Sequence, residues 1–78
     1  MKLSKKEQAV VIGTLCTLLG TEEVEQHIDQ EKMKKAIPAF NEIEDNTSPR
    51  MRREAFISVL DKTLDDFLRN INVIDVQG

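Results

Sequence analysis

Cys16 and His27 are the sole cysteine and histidine of this 78-residue chain, so a nucleophile–base pair would have to be built from them. Such chemistry needs the two within hydrogen-bond reach and a third group to orient the base. Cys16 lies between Leu15 and Thr17 in a run from Gln8 to Thr21 that carries no charge, whereas His27 lies in an acidic segment. Nothing in the spacing brings them together. Cys16 reads as a small buried hydrophobe, and the chain is expected to be no enzyme, with no catalytic residue and no small-molecule substrate.

Metal chemistry has one candidate. Glu23, His27 and Glu31 recur every four residues and would align on an unbroken helix. A phase jump in the apolar pattern sets a break at Asp29, which undoes the alignment and leaves a solvated acidic face. Asp45-Asn46-Thr47 lacks the ligand spacing and central glycine of a calcium loop, and three glycines are too few for a phosphate loop. Neither a metal nor a cofactor is expected.

The stretch from Thr47 to Glu54 has more functional colour. Arg50, Arg52 and Arg53 crowd the first turn of a helix, where cations oppose the macrodipole. A recognition helix of a helix-turn-helix protein starts in this way, and Lys32, Lys34 and Lys35 on the preceding helix could then contact phosphates. Against DNA stand the neighbouring Glu42, Glu44 and Asp45 and a net charge of −3. Surface ion pairing with those carboxylates and Glu54, or an acidic protein partner, are the competing readings. Trp and Tyr are absent, and Phe40, Phe56 and Phe67 are the only aromatics, which disfavours base-stacking platforms.

Leu3-Ser4-x-x-Glu7 followed by an apolar helix resembles the start of tellurite-resistance B-like helical domains. The resemblance covers less than a quarter of the chain. The acidic metal-binding signature of those domains is missing, so no ligand set is carried over.

The elements that must position these residues are all helical. Ser4 and Glu7 form a capping box before the apolar run, and Gly20 is a natural stop. On a wheel, Val11, Ile12, Leu15, Leu18 and Leu19 make the main core-facing side. Lys6, Val10, Gly13, Thr14 and Thr17 make the opposite side, small and neutral beyond Lys6 rather than charged. Gly13 costs about 1 kcal/mol relative to Ala, so a close backbone contact there is one reason for it. Thr21 caps a short helix over 22–28, and Asp29 caps a longer one over 30–44 that kinks at Pro38. Ser48 and Pro49 start the last helix, 49–70. Along it Ile57, Leu60, Leu64, Phe67, Ile71 and Ile74 recur at three and four, a heptad seam widened by Phe56 and Leu68 into a core-facing surface. Asn70 or Asn72 ends it, leaving an apolar C-terminal tail. The fold class is all-α, a compact bundle of about four helical segments in one domain, 1–78.

A domain this small is marginal without disulfides, metal or association, and a lone cysteine with no Cys/His cluster leaves association or unusually good helix packing. Lys2, Lys5 and Lys6 before the apolar run mimic a secretion signal. No small-x-small site follows, however, and the run is shorter than the roughly 20 residues of a membrane span. A cytoplasmic protein with no membrane partner is expected. The reading that follows is a non-enzymatic helical protein–protein interaction module, a regulator, inhibitor or adaptor acting by surface occupancy. It is expected to be homodimeric through Val10, Gly13, Thr14 and Thr17 or through exposed parts of the last helix. A DNA-binding helix-turn-helix regulator is the alternative, and a helical subunit of a larger obligate assembly is the second.

Overall fold

Ser4 starts the first helix by the reciprocal bonds its spacing predicts. Its hydroxyl accepts from the Glu7 N–H at 3.2 Å, and its own N–H donates to Glu7 Oε1 at 2.7 Å. In the computed structural model, which describes residues 2–77 and the side chains of 2–71, the chain forms four helices and no strand among those residues. They are α1 (Lys5–Leu19), α2 (Thr21–His27), α3 (Gln30–Asp45) and α4 (Pro49–Gln77). The all-α bundle holds, with α1 the element that touches the other three.

Local chemistry explains each junction. Gly20 takes φ 86° and ψ 157° and donates to the Cys16 carbonyl. That conformation is almost confined to glycine, so Gly20→Ala is expected to cost about 1–3 kcal/mol, seen as a lower Tm in thermal denaturation. Gly20 also precedes α2 directly, which begins at Thr21 with no side-chain cap. The expected Thr21 cap is thereby corrected: Gly20 uses the one position where a capping side chain could sit. Ile28 is extended, and the Asp29 carboxylate accepts from the Glu31 N–H at 3.0 Å, so the chain breaks at Asp29 as expected. Pro38 lies inside α3 without ending it. The Asn46 amide and Thr47 hydroxyl then donate to the carbonyls of Glu42 and Ile43, satisfying the helix end. Ser48 Oγ accepts from the Met51 N–H at 3.1 Å, with Pro49 as first helical residue.

Two expectations need correction. The last helix does not stop near Asn70 but runs to Gln77. The segment 71–77 holds neither glycine nor proline, and β-branched residues forfeit only tenths of a kcal/mol each. The side chains of the expected apolar tail beyond Ile71, including Ile74 of the seam, lie outside the described residues.

The second correction concerns which faces are inside. Ala9, Val24 and Ala55 are the buried apolar residues among those described. The face of α4 turned to α1 is Ala55, Ser58, Val59 and Lys62, small or polar at helical spacing. The seam expected to fill the core points away: Leu60 is 56% exposed, Phe67 58% and Leu64 46%. On α1 the intended core face is likewise open, since Ile12, Leu15, Leu18 and Leu19 are all exposed. Small residues let α1 and α4 approach closely, and a polar clamp, described below, fixes that choice.

Candidate functional site: a helical interaction surface

The clamp is built on Glu7, which is only 5% exposed. Its Oε1 accepts from Lys62 Nζ at 2.8 Å as well as from the Ser4 N–H, and its Oε2 accepts from Ser58 Oγ at 2.5 Å. Lys62 also donates to the Lys2 carbonyl at 3.2 Å. Ser58 and Lys62 sit one turn apart on α4, so a single carboxylate at the start of α1 holds two consecutive turns of the last helix. The Lys62 ammonium, the Ser4 N–H and the Ser58 hydroxyl together lower the Glu7 pKa from 4.5 to about 2. Each favours the charged form. The capping role of Glu7 is legible in sequence, whereas its second role is not. Ser58 and Lys62 interrupt the apolar character of one side of α4 four residues apart, and that was the available signal.

Between α1, α3 and the start of α4 lies an open groove of about 970 Å³. The second side of α1, Val10, Gly13, Thr14 and Thr17, lines it. The Phe40 ring of α3 lies against Gly13, where an added Cβ would come within 3.1 Å of Cζ. This close contact accounts for the glycine. Val10 and Thr14 are half-buried, and Thr17 is exposed with its hydroxyl donating to the Gly13 carbonyl. The small neutral side is thus partly covered by the protein's own α3. Half-buried Cys16 lies on the same helix, and no bond joins it to His27, which pairs with Glu23 at 3.4 Å.

The cations do not gather into one patch. Arg52 reaches back across the loop, its Nη1 donating to the Thr47 carbonyl at 3.0 Å and the Glu44 carbonyl at 3.4 Å. It therefore sits at the negative end of α3. Arg50 pairs with Glu54 at 3.3 Å, and Arg53 is exposed at the rim of the groove. Lys32, Lys34 and Lys35 lie at the other end of α3, with Lys34 beside Glu31 at 3.7 Å. Lys35 precedes Glu44 by nine residues, about 14 Å of helix rise. Further along α4, Arg69 pairs with Asp66.

No known family model matches the chain, and no curated protein or solved structure is similar to it. Among the described residues no three potential metal-ligating side chains converge, and no helix is long and apolar enough to cross a membrane. The largest chemical asset is apolar area. Phe56, Ile57, Leu60, Leu64, Phe67 and Leu68 form one exposed face of α4, which begins at the groove and continues down the helix.

Proposed function

We propose that this protein is a non-catalytic interaction module that works as a homodimer and acts by occupying a partner's surface. The observation that carries this reading is the apolar face of α4, whose residues are between 40% and 58% exposed. The accessible surface is 6517 Å² for an 8.9 kDa chain. A globular monomer of that mass exposes roughly 4,800 Å². The excess, about 1,700 Å², is twice the roughly 800 Å² that each partner contributes to a standard interface. The radius of gyration, 15.5 Å, also exceeds the roughly 11.5 Å of a globular domain of this length, because α4 gives the molecule its long axis.

An exposed face of this size is a protein-binding surface in most soluble proteins. Flanking charge then sets orientation and partner choice more than affinity. A DNA-reading role is less well supported, since Arg52 is already bonded to the end of α3 and the three lysines lie apart from Arg50 and Arg53.

Sedimentation velocity over a wide concentration range tests the proposal. The expected result is a dimer that dissociates on dilution; a monomer at every concentration would overturn it. The groove between α1 and α3 would then be the remaining surface for a different protein.

A further inference from the structure

The spacing along α4 carries one step more. Phe56, Ile57, Leu60, Leu64, Phe67 and Leu68 occupy positions that map onto themselves when the order is reversed about position 62. A face with that symmetry is complementary to a second copy of itself turned end for end. We infer that two chains pair through antiparallel α4 helices, with the two-fold axis at the level of Lys62. This rests on the homodimer proposed above and adds its geometry.

In that arrangement Leu60 meets the partner's Leu64 at the centre. Phe56 meets the partner's Leu68, and Ile57 meets the partner's Phe67, so each aromatic ring faces an aliphatic side chain. A parallel pair would instead set Phe56 on Phe56, Phe67 on Phe67 and Arg53 on Arg53. The first two stack bulk on bulk and the third opposes like charges. An isologous contact of this kind closes at two copies.

Charge supports the same choice. Arg50 and Arg53 stand at the start of α4, against its own dipole. Reversal about position 62 brings Arg50 to the level of position 74 of the partner helix, within the last turn before its end at Gln77. A cation that is misplaced on its own helix is thereby well placed on the partner's. Arg52 does the same thing within one chain, bonding the carbonyl end of α3.

Spin labels on single cysteines test the geometry. In a Cys16→Ala background, Glu54→Cys, Asp61→Cys and Asn70→Cys each place a label at an exposed position, and circular dichroism checks that the helices persist. Antiparallel pairing puts the two labels at 61 about 3 Å apart along the axis and those at 54 or at 70 about 24 Å apart. The expected pattern is strong dipolar broadening at 61 and long distances at both ends. Short distances at all three positions mean a parallel dimer and overturn this inference while the homodimer stands. Long distances at all three place the contact elsewhere and overturn it as well. Monomers in sedimentation of the labelled chains overturn both.

Discussion

Replacing Leu60 and Leu64 together by aspartate is expected to give a folded monomer. Both side chains are about half exposed in the single chain, so the substitutions remove little intramolecular contact. They lower helix propensity by only some tenths of a kcal/mol each. In the dimer the same change sets four carboxylates at the centre of an apolar interface. Central residues of an interface contribute about 2 kcal/mol or more apiece, and buried unpaired charge adds to the penalty. The dissociation constant should rise at least about a hundredfold, read by sedimentation, with the far-ultraviolet spectrum retained. Val59→Asp is the contrasting variant. It lies on the α1-facing side and is half-buried, so it should unfold the chain rather than separate it. A Leu60/Leu64 double variant that stays dimeric would show that the face is not the interface.

The second large effect concerns the clamp. Lys62→Met keeps an unbranched side chain one atom shorter but leaves the buried Glu7 without its cation. Removing only the cation leaves the buried Glu7 carboxylate short of its strongest partner, which is more damaging than removing both members. The expected result is a fall in Tm of several degrees at neutral pH. The double variant Glu7→Gln/Lys62→Met should recover part of it, and a double-mutant cycle measures the coupling.

The pH dependence has a definite sign. The folded pKa of Glu7 is about 2, below its ordinary 4.5, so the unfolded chain binds the proton more readily. The stabilisation is complete above about pH 4.5 and is lost as the pH falls towards 2. Chemical denaturation across that range should show the wild-type chain weakening towards the Lys62→Met variant. Two parallel pH profiles would refute the role of the ion pair.

Three of the four helix starts were legible because their signals are local, the start of α2 at Thr21 being the exception. The Ser4/Glu7 box, the Asp29 cap and the Ser48-Pro49 start each act within four residues, and each stands where the sequence puts it. The end of α4 was not legible, because Asn70 and Asn72 weaken a helix without breaking it. The heptad seam was found, but its destination was misread. Periodicity reports that a face is apolar, and a core and a subunit interface leave the same pattern. What turned the seam away from the interior was a pair of polar residues, Ser58 and Lys62, that sequence reasoning assigns to solvent by default. Their partner lies 51 and 55 residues away, beyond the reach of any local rule. Of the candidate site, the neutral side of α1 was found as a surface, and Gly13 as a point of close approach. The arginines stood out in the sequence, yet the carbonyl end of α3 that holds Arg52 becomes visible only once the loop is folded.

If two copies pair as proposed, the described apolar interior of Ala9, Val24 and Ala55 is small enough for association to add substantially to the stability of the folded chain. In such a system the folded state is favoured by mass action. Each tenfold rise in protein concentration adds about 1.4 kcal/mol per dimer to the stability of the assembled form. Under that proposal the amount of protein present is itself a stabilising condition, and dilution releases the less stable folded monomer.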